Sequence, residues 1–304
     1  MTQLIILGTR GSPLALAQAR QAASRIEVQH EWPADTVEIR VVRTTGDRIQ
    51  DRPLADIGGK ALWTKELDAA LLAGETHLSV HSMKDVESER PEALCLAAIL
   101  RRADVRDRLI GAESIEALKE GAVIGTSSPR RAAQLLARRP DLRIEPIRGN
   151  VETRLKKLAA GECDATLLAA AGLDRLHHSD IGVPLDLLPA PAQGAIGIEV
   201  RYDDAMCRRI VAQVSHRATF VAVLAERAFT RALGGSCHSP VAALAEVERD
   251  GSVYLRAEIL SADGRDQIAD EARFDQEDHA TPAALARAML ARAPASISSL
   301  FDGA

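Results

Sequence analysis

The chain has 304 residues, which is long for one hydrophobic core and predicts two or three compact domains. Its 46% hydrophobic and 27% charged residues are typical of a soluble globular protein, and no run approaches the ~18 apolar residues of a membrane span. The formal net charge is −5, which argues against general adhesion to nucleic acid.

The first residues and the cysteines predict a cytoplasmic protein. MTQLIILGTR has no basic n-region, so it predicts a first strand and not an export signal. The four cysteines form no CxxC pair, so we expect free thiols in a reducing compartment and no zinc site. Cys237 stands apart, because it lies on the glycine-rich loop of RALGGSCHSP (231–240).

Strands and helices alternate along most of the chain, which is typical of an α/β fold. LIILGT (4–9) predicts a strand that runs into a helix opened by Ser12 and a following proline. AVIGTS (122–127) and Ser128 repeat this arrangement, and in both copies a glutamine follows the serine by six residues. Because α/β sheets bind ligands beyond the carboxyl ends of their strands, the repeat predicts two similar lobes facing one cleft. Further alternating segments lie at 37–45, 64–74, 78–82 and 165–176.

Basic residues are concentrated between the second of these helix starts and a third, at Asn150. Residues 125–160 contain nine Lys or Arg and three acids, a net +6 that leaves −11 for the rest of the chain. Helix N-termini present free N–H groups and a positive dipole end, so this pattern predicts a local anionic ligand. We expect Arg138 and Arg139 to be exposed on the far side of their helix. Five arginines lie at or near the helix starts: Arg10, Arg130, Arg131, Arg148 and Arg154.

Two loops carry polar residues that are candidates for ligand binding or catalysis. The loop at 48–63 contains Gly58-Gly59-Lys60 but lacks the GxxxxGK[ST] spacing, so we interpret it as a mobile lid and not a phosphate-binding loop. HSMKDVE (81–87) places Lys84 and Asp85 after a strand, facing the expected cleft. From position alone, an aspartate there is more often a cap or a salt-bridge partner than a catalyst.

The end of the chain predicts a third, α+β domain. The Pro- and Gly-rich segment 187–200 is interpreted as a hinge that returns to a strand. Alternating apolar and polar residues between DG turns at 241–274 predict a small antiparallel sheet, closed by a helix near 282–293. The predicted domains are 1–100 with 199–217, 104–194, and 220–304, the last carrying Cys237.

Ten motifs in order and register resemble the porphobilinogen deaminases, also called hydroxymethylbilane synthases, over about residues 4–245: GTRGSPLALAQA, TTGD, IGGKALWTKEL, HSMKD, GTSSPRR, RGNVETRL, LAAAGLDRL, PAQGAIGIE, ERAF and LGGSC. The resemblance implies two periplasmic-binding-protein-like lobes around a cleft, plus a small α+β C-terminal domain. The departures from the family pattern are Asp56, Trp63, Val105, Ser236 and His238.

The resemblance also implies an activity: a transferase that condenses four porphobilinogen molecules head to tail, with loss of ammonia, into hydroxymethylbilane for tetrapyrrole biosynthesis. The implied prosthetic group is a dipyrromethane joined to Cys237 by a thioether, and the implied catalytic carboxylate is Asp85. The implied state is a cytoplasmic monomer with porphobilinogen as its partner and with no metal, nucleic acid or membrane.

Each pyrrole of this substrate bears an acetate and a propionate, which explains the basic segment. By resemblance, the groups that bind the cofactor are Lys84, Thr126, Ser128, Arg130, Arg131 and Arg148. By resemblance, those that bind the substrate are Arg10, Ser12, Lys60, Arg148, Arg154, Arg175 and Gln193.

Two other classes remain open from the residues alone. A non-catalytic, two-lobed binding protein for a small anion would share the helix starts but would need neither Cys237 nor Asp85. A nucleic-acid binder would use the basic segment, but 3% aromatic residues and a pI of about 5.9 disfavour it.

Overall fold

The computed structural model describes residues 4–43, 64–234 and 239–301. Several predicted features lie outside these described residues: the lid at 48–63 with Asp56, Lys60 and Trp63, and the loop positions Ser236, Cys237 and His238.

The described residues alternate between strands and helices, as the sequence predicted. The strands are β1 (Ile5–Thr9), β2 (Val37–Val41), β3 (Leu78–Ser82), β4 (Leu94–Ile99), β5 (Asp107–Ile110), β6 (Val123–Gly125), β7 (Arg143–Glu145), β8 (Ala165–Ala169), β9 (Val183–Leu185), β10 (Ile196–Arg201), β11 (Val241–Val247), β12 (Val253–Leu260) and β13 (Gln267–Phe274). The helices are α1 (Pro13–Gln29), α2 (Lys65–Leu72), α3 (Pro129–Arg138), α4 (Val151–Ala159), α5 (Ala170–Arg175), α6 (Ala205–Ala212), α7 (Arg217–Leu233), α8 (Thr281–Ala291) and α9 (Ala295–Ser298), with a 3₁₀ turn at Met83–Asp85.

Two five-stranded sheets share one plan, which confirms the predicted pair of similar lobes. In the first, β1 lies between β2 and β3 and runs parallel to both, while β10 is antiparallel to β3 and β4. In the second, β6 lies parallel between β7 and β8, while β5 is antiparallel to β8 and β9. The third sheet, β11-β12-β13, is antiparallel throughout and confirms the predicted α+β C-terminal region.

The chain divides into two compact units. One comprises residues 1–103 and 195–220, and holds the first sheet with α1, α2 and α6. The other comprises residues 104–194 and 221–304, and holds the second and third sheets. The predicted boundaries of three domains stay a prediction.

Each sheet has its own apolar core, because one face of every amphipathic element is buried against it. On α1, Ala19, Ala22 and Ile26 repeat at helical spacing and are buried against the first sheet. Representative buried residues of the three cores are Leu7 and Ile198, Ile124 and Leu167, and Phe229 and Leu255. Within the described residues, no helix has the length and apolar content to cross a bilayer.

Candidate active site

The two predicted serine–proline helix starts form as expected. The Ser12 Oγ accepts the Ala15 N–H at 3.3 Å, and the Ser128 Oγ accepts the Arg131 N–H at 3.4 Å. Thr126 supports the second start, because its hydroxyl oxygen accepts the Ser128 N–H at 3.2 Å. Each serine uses its oxygen as the cap, so its O–H proton is the group that can turn toward an anion at the positive end of the helix.

The third helix start depends on a glycine. The Asn150 Oδ1 accepts the Thr153 N–H at 2.9 Å and caps α4. Gly149 has φ +113°, and a Cβ there would lie 2.5 Å from the Thr153 Cγ2. Any side chain at this position would therefore displace the cap. The same turn holds Arg154, whose Nε donates to the Gly149 carbonyl at 3.0 Å.

Two arginines of this region, Arg148 and Arg175, are partly withdrawn from water. The Arg148 Nη1 is buried and has no hydrogen-bond partner within the described residues. Burial lowers the pKa of Arg175 to about 10, and the neighbouring charge of Asp174 offsets this only in part. A desolvated guanidinium gains most from a carboxylate, so both side chains suit an anionic ligand.

Arg130 and Arg131, in contrast, already share a carboxylate within the protein. Arg130 Nη2 lies 2.7 Å from Asp107 Oδ2, and Arg131 Nη2 lies 2.7 Å from Asp107 Oδ1. All three residues are at most 5% exposed. Burial raises the pKa of Asp107, but the charges and hydrogen bonds of the two arginines outweigh it and hold that pKa well below its usual range. A second buried carboxylate, that of Glu258, lies behind Gln134, whose Nε2 donates to Glu258 Oε2 at 2.6 Å and whose Oε1 accepts from Arg130 Nη1 at 3.0 Å.

Asp107 is a residue that the sequence analysis missed. It also accepts a hydrogen bond from Gln193, whose Nε2 lies 3.0 Å from Oδ1 and 2.8 Å from the Val105 carbonyl oxygen. Nothing in the local sequence marks it, because an aspartate at the start of a strand resembles an ordinary surface acid. Its partners Arg130 and Arg131 are brought to it only by the strand order of the second sheet.

We expect Arg131→Leu to lower the free energy of unfolding by about 3–5 kcal/mol, because it leaves Asp107 buried with half of its compensation. Chemical denaturation followed by circular dichroism would measure the change. Arg138→Leu is the matched control on the same helix: it removes one exposed hydrogen bond, to the Asp186 carbonyl oxygen, and should lower the free energy of unfolding by no more than about 1 kcal/mol. Equal stability of the two variants would contradict this account of Asp107.

The prediction that Arg138 and Arg139 are both exposed is confirmed for Arg138 and wrong for Arg139. Arg139 is only partly exposed; its Nε lies 2.7 Å from Asp141 Oδ1, and its Nη1 donates to the Ile115 carbonyl at 3.0 Å. It caps α3 and ties that end of the helix to a neighbouring loop. Arg138 is exposed and makes one hydrogen bond, from its Nη2 to the Asp186 carbonyl oxygen at 2.6 Å, so it is the milder of the two substitutions and serves as the control.

The turn that carries Asp85 forms directly after β3, as predicted. The 3₁₀ turn of Met83–Asp85 begins with the Met83 N–H donating to the Ala195 carbonyl at 3.1 Å. Met83 packs over Gly197 of β10, where a Cβ would lie 2.1 Å from its Sδ. Glycine at 197 therefore allows the Met83 side chain to pack against the sheet, and this packing fixes the turn. Lys84 and Asp85, which follow Met83 in the turn, remain partly exposed.

A buried polar cluster lies in the same sheet, and the sequence analysis missed it. His81 Nε2 lies 3.1 Å from Glu199 Oε2, and Arg90 donates to both Glu199 oxygens at 2.8 Å. Burial raises the pKa of Glu199, but the hydrogen bonds and charges of His81 and Arg90 hold it below its usual range. Since His81 and Glu199 lie on β3 and β10, this cluster stabilises the strand pair from which the Asp85 turn emerges.

The three described cysteines are free thiols, as predicted. Burial is the largest cause that raises the pKa of Cys95, Cys163 and Cys207, to about 12 for Cys207. Such thiols form little thiolate at neutral pH and are poor nucleophiles. Among residues 4–43, 64–234 and 239–301, no group of three or more His, Cys, Asp or Glu side chains could hold a metal ion.

The fold and these helix starts define a two-lobed α/β protein whose arginines gather at the ends of strands. Family models match it along most of its length: the dipyrromethane cofactor binding domain of porphobilinogen deaminase over residues 5–209, and the C-terminal domain over 220–291. The chain belongs to the porphobilinogen deaminase family.

Curated relatives agree with this assignment. The chain is 54% identical over 303 residues to the porphobilinogen deaminase of Sphingopyxis alaskensis, covering 97% of this chain and 96% of that relative. It is 49% identical over 298 residues to the Paracoccus denitrificans enzyme, covering 96% and 95%. It is 46% identical over 269 residues to the chloroplastic enzyme of Oryza sativa, covering 86% of this chain and 75% of that one.

Among solved structures, the methionine binding protein MetQ has a TM-score of 0.45 at 11% identity, covering 70% of this chain and 90% of that one. The VFT2 domain of BvgS from Bordetella pertussis has a TM-score of 0.38 at 18% identity, covering 69% and 84%.

Family membership confirms the predicted activity over the non-catalytic alternative. The chain is a transferase of tetrapyrrole biosynthesis that condenses porphobilinogen to hydroxymethylbilane, and its cofactor is dipyrromethane.

Proposed function

We propose that Asp85, Cys237 and the arginines at the helix starts carry this reaction. The observation that supports the proposal is the state of Arg148 and Arg175. The buried Nη1 of Arg148 has no hydrogen-bond partner among the described residues, and burial lowers the pKa of Arg175 to about 10. Dipyrromethane and porphobilinogen both carry acetate and propionate groups, so the residues present fit an occupant of this charge.

Cys237 would hold the dipyrromethane through a thioether, which is chemistry that suits the most nucleophilic side chain available on a glycine-rich loop. When bound, the cofactor supplies the pyrrole carbon from which the product grows. Arg130 and Arg131 would contribute guanidinium N–H groups that their pairing with Asp107 holds in place. The residues proposed to bind the cofactor carboxylates are Lys84, Thr126, Ser128, Arg130, Arg131 and Arg148.

The substrate's own acetate and propionate would be bound by a second, overlapping set. Because Gln193 is fully buried and donates to Asp107, we infer that it acts through the arginine pair and not by direct contact with substrate. The residues proposed to bind porphobilinogen are Arg10, Ser12, Lys60, Arg148, Arg154 and Arg175, with Gln193 behind them.

Asp85 would act on the charge that the reaction creates. Loss of ammonia from porphobilinogen leaves a cation delocalised over the pyrrole, and a carboxylate that accepts the pyrrole N–H stabilises it. In its protonated form the same side chain can give a proton to the departing amine, and the carboxylate that this leaves can remove a proton from the carbon that forms the new bond.

We expect Arg148→Leu to raise the KM for porphobilinogen by about 10- to 100-fold, since a hydrogen bond to a charged group contributes about 1.5–3 kcal/mol. Its stability should hold, because the Arg148 Nη1 has no hydrogen-bond partner among the described residues to lose. Steady-state kinetics and thermal unfolding would measure the two quantities, with exposed Arg138→Leu as the control. Equal KM values for the two variants would contradict the proposal.

We also propose that the chain has three domains, 1–100 with 199–217, 104–194 and 220–304, and works as a cytoplasmic monomer. The C-terminal family model begins at residue 220, which supports the last boundary. The proposed partner is porphobilinogen, with no nucleic acid and no membrane. Light scattering on the purified protein would test the monomer, and a mass of twice the 32.6 kDa chain would contradict it.

A further inference from the structure

Glu226 on α7 is a buried carboxylate with no part in the reaction described above. It is 0% exposed, and its two oxygens accept two backbone N–H groups from different segments. Oε2 lies 2.5 Å from the Ala192 nitrogen, and Oε1 lies 2.7 Å from the Ala245 nitrogen on β11. One side chain therefore ties the C-terminal sheet to the loop that contains Ala192.

The loop that contains Ala192 has a backbone conformation that is unfavourable for the residue found there. Ala192 has φ +61°, in the left-handed region that a residue with a Cβ seldom adopts. The turn closes through the Gln193 N–H, which donates to the Ala190 carbonyl at 3.0 Å. A strained residue persists only where its surroundings hold it, and the Glu226 carboxylate is the charged group bonded to the Ala192 amide.

Of the two residues after Ala192, Gln193 contacts the carboxylate that Arg130 and Arg131 share, and Gly194 contacts Arg175. Gln193 Nε2 donates to Asp107, the carboxylate shared by two arginines, at 3.0 Å. The Gly194 carbonyl oxygen accepts a hydrogen bond from Arg175 Nη2 at 2.9 Å. The direction of each contact depends on the path of the backbone at Ala192, since a change of φ there would rotate both residues.

We propose that Glu226 is a positioning residue for substrate binding. By holding the turn of residues 190–194 in its strained conformation, it sets where Gln193 meets Asp107 and where Gly194 meets Arg175. The inference rests on the proposed function, because it takes these arginines to bind porphobilinogen carboxylates. Since the second oxygen of Glu226 holds β11, the same residue couples the arginine groups to the sheet of the C-terminal region.

Glu226→Gln tests the proposal with little change of shape. The glutamine amide has one oxygen and one N–H₂ group. Its oxygen can accept only one of the two backbone N–H groups, and the N–H₂ group faces the other as donor to donor, so one of the two hydrogen bonds is lost. We expect the KM for porphobilinogen to rise about 2- to 30-fold, the range for residues that act on a site without touching its ligand, while kcat stays within about twofold. The matched control is Thr230→Val, one turn further along α7, which removes a hydroxyl bonded to the Glu226 main-chain oxygen at 2.9 Å. That control should lower the melting temperature and leave KM unchanged.

If Glu226→Gln does not fold, Ala192→Gly provides a second test of the positioning role. Glycine adopts φ +61° without strain, so this variant should melt no lower than the wild type. Its KM should stay within twofold of the wild type, because the Glu226 carboxylate still holds the turn. Combined with Glu226→Gln, Ala192→Gly should restore stability and bring KM back toward the wild-type value, because a turn that glycine adopts without strain needs less support. A folded double variant whose KM stays raised would overturn the positioning role. Arg148→Leu, assayed alongside, distinguishes failure of the positioning role of Glu226 from failure of the proposed function. An unchanged KM in Arg148→Leu contradicts the proposed function itself.

Discussion

Replacing Cys237 with serine is expected to abolish turnover and to remove a covalent adduct from the protein. A serine hydroxyl forms almost no alkoxide at neutral pH, so it cannot capture the pyrrole that a thiolate captures. Intact mass spectrometry of protein made in cells that synthesise porphobilinogen would show the wild type heavier than its sequence by two pyrrole units. The variant should match its sequence mass.

Cys95→Ser is the control for that experiment. Cys95 is a free thiol whose pKa is raised by burial, so its replacement should leave both the added mass and the activity in place. A wild-type protein from such cells with the bare sequence mass would falsify the assignment of Cys237.

Replacing Asp85 with asparagine should lower kcat by at least about 100-fold, the usual scale for removing a positioned acid–base group. The amide is neutral, so it neither stabilises the pyrrole cation nor carries the proton. Because the proposed anion-binding arginines are unchanged, the mass added at Cys237 should remain, either as the cofactor or as a partly elongated form.

The matched control is Glu89→Gln, which removes an exposed carboxylate four residues further along the same segment. It should retain near-normal kcat. Near-normal turnover in Asp85→Asn would show that another group supplies the charge stabilisation, and Asp85 would then have a structural role.

Features that depend on residues close together in the sequence could be predicted well. Serine and proline at two helix starts, with a Gly-Thr before each, predicted the repeated lobes, and both starts have the expected caps. The bounds of β3 match the predicted segment 78–82, because an apolar strand ends there at a polar turn. The DG turns likewise predicted the antiparallel sheet near the end of the chain.

Features that depend on partners far away in sequence could not be predicted. Asp107, Glu199 and Glu226 each resemble an ordinary surface acid in the sequence, yet each is fully buried. Their partners come from other strands or helices, so only the strand order shows which charges they meet. Arg139 was wrongly placed for the same reason, since helical periodicity does not reveal the loop carbonyls that it contacts.

The strand order of the first sheet has a consequence for how the chain is made. β10 lies between β3 and β4, although almost one hundred residues separate it from β4 in the chain. During synthesis, β3 and β4 therefore emerge from the ribosome long before β10, the strand that pairs with both of them. Until then each has an open hydrogen-bonding edge, which is a site for aggregation or chaperone capture. A nascent chain stalled before residue 196 would have no completed first sheet, whereas a circular permutant beginning at β10 would supply that strand first.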